Sequence, residues 1–185
     1  MRIIAVTTPK VTDDDAQIIT RLLDAGVDVV HIRKPCSDVE ECRLLLSTIG
    51  DDYLRRIVIH DHTELFAEFP LLGIHQNRSV QHLPDGYSGI RTRSCHTFEE
   101  IARYKQECDY LFLSPIFDSI SKVGYRSHFS DEELRWAARE GIIDGRVIAL
   151  GGVTFRHLDY LKSIGFGGAA MCGALYSLDA VIPIL

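Results

Sequence analysis

Several features are scarce or missing in this sequence of 185 residues, and each absence excludes a class of protein. No apolar run is long enough to span a membrane, and no charged N-terminal region precedes an apolar secretion segment. The net charge of −6 argues against a general nucleic-acid-binding surface, which needs an excess of basic residues. The five cysteines are odd in number and form no Cys-x-x-Cys pair, so reduced thiols in the cytoplasm are expected.

Short β-type runs alternate with helical segments along the whole chain. The runs predicted to be strands cover residues 3–7, 27–33, 56–60, 71–75, 89–94, 109–113, 146–150 and 166–172. A helix or helical turn follows each one, which predicts an α/β protein with a single (β/α)₈ TIM barrel as one domain, 1–185. A doubly wound open sheet is the alternative, but no Gly-x-Gly-x-x-Gly run follows the first strand.

The helix starts carry recognisable capping residues. Ser37-x-x-Glu40, Thr97-x-x-Glu100 and Ser130-x-x-Glu133 each fit a capping box. Thr12 is predicted to open the first helix, with residues 13–15, all aspartates, in its first turn. Thr154 is predicted to start a further helix, and residues 179–185 resemble a final helix that is cut short. We therefore expect either a partner over that side of the barrel, such as a second copy in a homodimer, or an incomplete chain.

The most informative stretch is the sixth predicted strand and the loop after it, residues 111–122. The strand breaks at Ser114-Pro115, since proline cannot donate to a sheet ladder. The loop then offers two hydroxyls and an ammonium, from Ser119, Ser121 and Lys122, with no acid after Asp118. Such a set suits a phosphate group. A solvated surface loop is the alternative, and these residues alone do not decide between the two.

Barrel enzymes place their chemistry on the loops that follow the C-terminal ends of the strands. The polar or small residues at the other predicted strand ends are His31, Arg33, Lys34, His60, Asp61, His75, Ser94, His96, Gly151, Gly152, Cys172 and Gly173. His31 and Arg33 are two residues apart, so both side chains are expected on one face of their strand. An inward arginine needs a partner, and a bound anion is favoured here over an internal acid.

Glycines follow the last two predicted strands. Gly151 and Gly152 would let backbone N–H groups approach a ligand closely, and Gly173 follows the eighth strand. Phosphate sites after strands seven and eight recur in this fold. Glycines that serve only a tight turn are the competing explanation, but Lys122 tips the balance towards phosphate binding.

A metal hydrolase is a weaker hypothesis. His60-Asp61-His62 could ligate a metal, with His75 or His96 as further ligands. Asp61 is equally well placed to cap a helix in a box with Glu64, which would put His62 on the helix.

The strand ends together resemble a known family, thiamine phosphate synthase with its relative, the TenI-type thiazole tautomerase. The Ser-x-His-Thr motif is intact at residues 94–97, and Gly-Gly is present at 151–152. Residues 114–122 resemble Gly-Pro-Ile-Phe-x-Thr-x-x-Lys, and 73–76 resemble Gly-Val-His-Leu. The family's Gln-Leu-Arg-Glu-Lys and Asn-Asp motifs are also similar to segments here, although His31 replaces the glutamine and His60 the asparagine.

The sequence lacks one functional residue of each of these two relatives. The synthase has a second magnesium aspartate after its fourth strand, but residues 77–81 contain no acid. The tautomerase has a histidine after its sixth strand, where this chain has Pro115, as in the synthase.

The resemblance implies a transferase of thiamine biosynthesis that joins an aminopyrimidine diphosphate to a thiazole phosphate and releases pyrophosphate. Arg33, Lys122 and a Mg²⁺ on Asp61 would hold pyrophosphate, and Ser94 would contact the pyrimidine. The remaining contacts to the substrates would come from His31, Lys34, His60, His75, Ser119, Ser121, Gly151, Gly152, Cys172 and Gly173. Two alternatives remain open: a thiazole phosphate tautomerase that uses His60 or His31 as its base, and a non-catalytic sensor of thiazole or thiamine phosphates.

Overall fold

The computed structural model describes residues 1–118, 128–173, 175 and 176, and it contains eight strands. The strands are β1 (Arg2–Val6), β2 (Val29–Ile32), β3 (Ile57–Ile59), β4 (Gly73–Gln76), β5 (Ile90–Cys95), β6 (Tyr110–Leu113), β7 (Val147–Ala149) and β8 (Gly168–Met171).

Helices separate most of these strands. The α-helices in the described residues are α1 (Asp15–Asp24), α2 (Val39–Ser47), α3 (Asp51–Leu54), α4 (Phe98–Tyr104), α5 (Asp131–Arg139) and α6 (Leu158–Ile164). A short 3₁₀ helix, Thr63–Ala67, follows β3, and a second one, Phe155–His157, leads directly into α6 after β7. None of the helices that the structure describes combines the length and apolar composition of a membrane span.

The strands form one closed barrel in the order β1 to β8. Neighbouring strands pair in parallel, as in the registers Val30 to Ile57 and Leu113 to Ala149. β2, β3, β6, β7 and β8 are buried at every position, because a strand covered by helices on one face and by the barrel interior on the other exposes neither. The predicted (β/α)₈ barrel is therefore confirmed.

The chain divides into two compact units, each with its own buried apolar residues. The first unit, here called the late-strand unit, comprises residues 1–3 and 92–171, and its buried side chains include Leu111, Phe112 and Ile148. The second, the early-strand unit, comprises residues 4–91 with Cys172 and the described residues after it; Ile19, Val30 and Ile57 are fully buried there. The prediction of one domain over the whole chain stays a prediction.

Local side-chain hydrogen bonds explain where the helices begin. Ser130 and Glu133 form the predicted reciprocal capping box at the start of α5. The box predicted at Ser37 lies one residue later, where Asp38 accepts a hydrogen bond from Glu41 N–H and Glu41 accepts one from Asp38 N–H. The Ser37 hydroxyl instead accepts a hydrogen bond from Val11 N–H.

The first helix departs from prediction in an instructive way. It begins at Asp15, and this aspartate is completely buried rather than solvated in a first turn. Its Oδ2 atom accepts hydrogen bonds from the Lys34 ammonium at 2.6 Å and from Thr12 N–H at 2.9 Å. Its Oδ1 atom accepts one from the Tyr176 hydroxyl at 2.5 Å. Burial and this hydrogen bond raise the pKa of Tyr176, so the phenol stays protonated as the donor.

Lys34 is also completely buried. Besides Asp15, its ammonium donates to the Lys10 carbonyl at 2.9 Å and to the Thr8 hydroxyl at 3.5 Å. The sequence-based assignment of Lys34 to substrate binding is therefore corrected, since its donors already have partners within the fold.

We expect Lys34→Met to destabilise the protein by about 3–5 kcal/mol, because the change leaves the Asp15 carboxylate buried without its counter-charge. Urea denaturation followed by circular dichroism measures the loss. Lys10→Met is the matched control, because the Lys10 side chain is exposed and only its carbonyl takes part in the network. Equal free energies of unfolding for the two variants would contradict this account of the ion pair.

Candidate active site at the strand ends

Three histidines converge at the ends of β2, β3 and β4, within the early-strand unit. His31 lies in β2, His60 follows β3 directly and His75 lies in β4; they are 0%, 4% and 0% exposed. One ring nitrogen from each lies within 4.8 Å of the other two. His31 Nδ1 is hydrogen-bonded to His60 Nε2 at 2.8 Å, and the His60 and His75 rings stack with centroids 4.0 Å apart. We call these three residues the histidine cluster.

Burial controls the charge of this cluster. Desolvation is the main cause that lowers the pKa of His31 well below its ordinary value of 6.5, and the neighbouring His75 adds to it. Desolvation also lowers the pKa of His60, with further contributions from His75, His31 and Arg33. Both rings are therefore neutral near pH 7, and each offers one N–H donor and one nitrogen lone pair.

These two pKa values predict acid sensitivity. As the pH falls below 6.5, the unfolded chain takes up protons at positions 31 and 60 before the folded chain does, so the free energy of unfolding decreases. Each residue contributes up to about 1.4 kcal/mol per pH unit. We expect His31→Gln combined with His60→Asn to flatten the decline measured by urea denaturation between about pH 7.5 and about pH 5.5.

The control for that experiment is the double variant His82→Gln, His128→Gln, which removes two exposed imidazoles. It should keep the wild-type slope. If the control and the cluster variant flatten the slope equally, the acid sensitivity does not come from the buried rings.

Arg33 and Asp61 supply the charges close to the histidine cluster. β2 ends at Ile32, and Arg33 lies beyond it as an exposed residue, which corrects the predicted inward orientation. Its backbone is anchored to Thr7, whose hydroxyl accepts a hydrogen bond from Arg33 N–H at 2.9 Å. Its guanidinium makes no hydrogen bond or ion pair with any described residue, so it is available to an anion.

Asp61 is half-buried after β3, where its Oδ2 atom accepts a hydrogen bond from Lys34 N–H at 2.9 Å. The predicted capping box of Asp61 with Glu64 is wrong, because His62 is the residue at the helix start and no side chain caps it. His62 itself contacts the Ser37 carbonyl at 2.9 Å and is not part of the histidine cluster. Asp61 thus faces the strand ends as a carboxylate rather than closing a helix.

Ser94, Cys95 and His96 end β5 in the late-strand unit. Ser94 is half-buried, and the exposed His96 is held from two sides. Its Nδ1 donates a hydrogen bond to the Ser114 carbonyl at 3.0 Å, and its backbone N–H donates to Glu100 Oε2 at 2.6 Å. Burial raises the pKa of Cys95 to about 12, so this thiol is not a nucleophile.

Gly151 and Gly152 follow β7 and have positive φ angles of 89° and 64°. A Cβ atom on Gly151 would lie 2.8 Å from Pro115 Cα, and one on Gly152 would lie 2.4 Å from the Asp118 carbonyl oxygen. The backbone N–H groups of Gly151, Gly152 and Val153 donate to no described residue. The two glycines therefore permit close packing against the segment after β6 and also leave a row of available donors, here called the glycine cradle.

A half-buried histidine, His157, lies beside the glycine cradle. It stacks on Phe117, with ring centroids 3.9 Å apart. Its Nδ1 accepts a hydrogen bond from Thr154 N–H at 3.1 Å. The predicted helix from Thr154 thus begins with a 3₁₀ turn that His157 helps to cap.

We expect Gly152→Ala to destabilise the protein by more than Gly165→Ala does. Both residues have positive φ, and that backbone strain alone costs an alanine roughly 1 kcal/mol. Only position 152 adds a clash, because a Cβ at Gly165 would meet nothing within 4 Å. Thermal denaturation of the two variants measures the difference, and equal melting temperatures would show that the backbone near Asp118 yields freely.

Five predicted site residues either lie outside the described residues or follow β8 at the surface. Ser119, Ser121 and Lys122 lie outside the described residues. Cys172 and Gly173 follow β8 directly and are exposed, and a Cβ on Gly173 would meet nothing within 4 Å. Their assignment to substrate binding stays a prediction. Sequence reasoning missed Asp15 as the partner of Lys34, and it also missed the convergence of His31 with His60 and His75.

A closed parallel barrel with polar residues after its strands defines the class of this protein as a (β/α)₈-barrel enzyme. Residues 3–175 match the model of a family described as thiamine monophosphate synthase. Since that match spans most of the chain, the protein belongs to this family.

Individual relatives agree with the family assignment. A thiamine-phosphate synthase from Flavobacterium johnsoniae is 24% identical over 182 residues, which cover 90% of this chain and 84% of that protein. A crystal structure of thiamine phosphate pyrophosphorylase from Bacteroides thetaiotaomicron is 41% identical, with a TM-score of 0.85 over 94% of this chain and 83% of its own. A thiamine phosphate pyrophosphorylase from Pyrococcus furiosus, 17% identical with a TM-score of 0.76, shares the fold over 97% of this chain and 89% of its own.

Proposed function

We propose that this protein is a transferase of thiamine biosynthesis, which joins an aminopyrimidine diphosphate to a thiazole phosphate and releases pyrophosphate. The observation that carries the proposal is the family match, which runs through the ends of all eight strands. The family resemblance of the motifs at residues 94–97 and 151–152 points to the same pair of substrates.

The reaction separates charge and then recombines it. The bond between the pyrimidine methylene carbon and the diphosphate oxygen breaks, and its electron pair leaves with pyrophosphate. The thiazole nitrogen then donates its lone pair to the methylene carbon, which forms the new carbon–nitrogen bond. The protein has to neutralise the leaving group and hold the two partners in line.

Arg33 is suited to the leaving group. Its guanidinium has no ionic partner among the described residues, whereas the adjacent Lys34 is neutralised by Asp15. Planar guanidinium groups bind phosphate oxygens through two parallel hydrogen bonds. Lys122 is the second proposed cation, in the part of the chain that the structure does not describe.

Asp61 fits the role of a Mg²⁺ ligand, because carboxylate oxygen is the donor that this ion prefers and one of its two oxygens accepts only a backbone N–H. Mg²⁺, when bound, would neutralise charge on the leaving pyrophosphate. Residues 77–81, where the family resemblance places a second magnesium aspartate, contain no acid, and Asn77 Oδ1 already accepts hydrogen bonds from Ser79 N–H and Val80 N–H. Asp61 would therefore share the ion with the substrate's own oxygens.

The histidine cluster would face the pyrimidine. Since burial keeps His31 and His60 neutral, neither ring repels the cation that forms when pyrophosphate leaves. Their N–H groups and lone pairs are of the same types as the donors and acceptors of an aminopyrimidine. For Ser94, a contact with the pyrimidine is what the family resemblance implies.

The glycine cradle would hold the thiazole phosphate. Three successive backbone N–H groups without partners among the described residues are a typical anion site. The steric need for glycine at positions 151 and 152 accounts for the turn, and the available donors support the additional role.

An assay for thiamine phosphate formation from both substrates tests the proposal. We expect turnover that requires Mg²⁺, and we expect Arg33→Gln to lower kcat by about a hundredfold, since it removes one charge contact to the leaving group. Arg55→Gln is the matched control, because Arg55 is also exposed and lies after α3, away from the strand ends. If wild-type protein makes no thiamine phosphate at any Mg²⁺ concentration, the transferase assignment fails.

The contact between His31 and His60 favours a second candidate function, that of a thiazole phosphate tautomerase. The hydrogen bond between His31 and His60 could pass a proton to and from a bound thiazole phosphate, as a tautomerase requires. Incubation with a thiazole phosphate isomer alone, followed by analysis of the product, distinguishes this activity. Binding of thiazole or thiamine phosphates without turnover in either assay would indicate the sensor.

The cytoplasm is the proposed location. No disulfide joins any of the five cysteines, as expected in a reducing compartment.

A further inference from the structure

The histidine cluster has a composition that substrate hydrogen bonding alone does not require. His31, His60 and His75 come from three neighbouring strands, and one ring nitrogen of each meets the others within 4.8 Å. Their side chains are almost completely buried, and His60, at 4% exposed, is the only member that reaches the surface. Such a set contains three nitrogen ligands and no carboxylate.

We propose that His31, His60 and His75 form a binding site for a divalent transition-metal ion of the zinc class. Imidazole nitrogen is a preferred ligand of Zn²⁺, Co²⁺ and Ni²⁺, whereas Mg²⁺ takes oxygen ligands. This site is therefore chemically distinct from the proposed Mg²⁺ position at Asp61. It uses the same imidazoles that the proposed transferase would offer to the pyrimidine, so the test below measures metal binding rather than turnover.

The distances are within reach of coordination. In a tetrahedral zinc site with Zn–N bonds of about 2.0–2.1 Å, two ligand nitrogens lie about 3.3 Å apart. The pair His31 Nδ1 and His60 Nε2, now 2.8 Å apart in a hydrogen bond, would open slightly, and the third nitrogen would move inward. The stacked His60 and His75 rings would tilt out of their near-parallel arrangement, 16° between planes, to point at one ion.

The cluster also meets the chemical requirements of a metal ligand set. Imidazole nitrogens are ligands of zinc-class ions, and one ring nitrogen of each of the three buried histidines lies close to the other two. Three protein ligands leave a fourth position open, as in catalytic zinc sites, where a small ligand or water binds. The metal-hydrolase hypothesis from the sequence included His60 and His75, which belong to the cluster, and also His62 and His96, which do not.

Cobalt titration of the full-length protein, stripped of metal with a chelator, tests the site directly. Tetrahedral Co²⁺ with nitrogen ligands has strong visible absorption, and Zn²⁺ displaces it. We expect saturation at one equivalent of Co²⁺ per chain and loss of the absorption when Zn²⁺ is added. In the variant His31→Gln, His60→Asn the affinity should fall by more than about a hundredfold, because changes beyond the ligands themselves already cost 10- to 100-fold.

The variants are chosen so that folding does not obscure the result. Gln and Asn at positions 31 and 60 are the residues that the family resemblance places there, and circular dichroism without metal verifies that the variant folds. His75→Gln provides a second removal of one ligand. His82→Gln and His128→Gln, at exposed positions, should bind Co²⁺ as the wild type does. The proposal is overturned if wild type and cluster variants bind Co²⁺ equally weakly, or if the exposed-histidine variants lose binding instead.

Discussion

The ion pair between Asp15 and Lys34 constrains much of the early-strand unit. Each charge would be costly to bury alone, so each needs the other, and together they tie the start of α1 to the segment after β2. Tyr176 adds a hydroxyl to the same carboxylate and so fixes the chain after β8 to this point. Lys34 turns inward to reach Asp15. The preceding cation, Arg33, lies outside, and its guanidinium is available to bind an anion.

Burial also separates neutral from charged chemistry at the strand ends of this unit. The three histidines are buried, and desolvation lowers the pKa of His31 and of His60, whereas Arg33 is exposed and Asp61 is half-buried. A substrate with an aromatic ring and a diphosphate has the same division. Its ring would meet neutral donors and acceptors, and its anionic end would meet a cation and a metal-binding carboxylate.

Much of the fold follows from local sequence signals. The alternation of apolar strands with capped helices predicts the barrel, and Ser130 with Glu133 marks a helix start that the structure reproduces. The burial of Asp15 does not follow from local signals, because three aspartates after Thr12 are typical of a solvated first turn. Asp15 is buried because the fold brings Lys34 next to it. The shift of a capping box from Ser37 to Asp38 has a similar cause, since Val11 claims the serine hydroxyl.

The sequence predicts which residues lie at the end of each strand. It does not predict which of these residues meet, because that depends on the register between neighbouring strands. Each histidine of the cluster was placed at a strand end from sequence, but their common meeting point depends on how β2, β3 and β4 stagger in the barrel. Gly151 and Gly152 remained ambiguous because a tight turn and a phosphate cradle both require glycine. In the structure the tight turn depends on the absent Cβ, whereas the proposed phosphate contact would use the N–H groups.

Two departures from the family pattern lie in the histidine cluster. This sequence keeps the family's histidine at position 75 and has His31 and His60 where the family has amide side chains. An amide side chain can bond to a pyrimidine but is a poor ligand for zinc-class ions, whereas imidazole can do both. The two replacements, His31 and His60, together with His75 therefore provide three converging ring nitrogens in place of two amides and one histidine. Residues 77–81 contain no acid, so the Mg²⁺ site proposed at Asp61 would have fewer protein oxygens, whereas the proposed zinc-class site would have three nitrogens. Under these two proposals, the preference among metal ions would depend on three ring nitrogens at one position and on one carboxylate at the other.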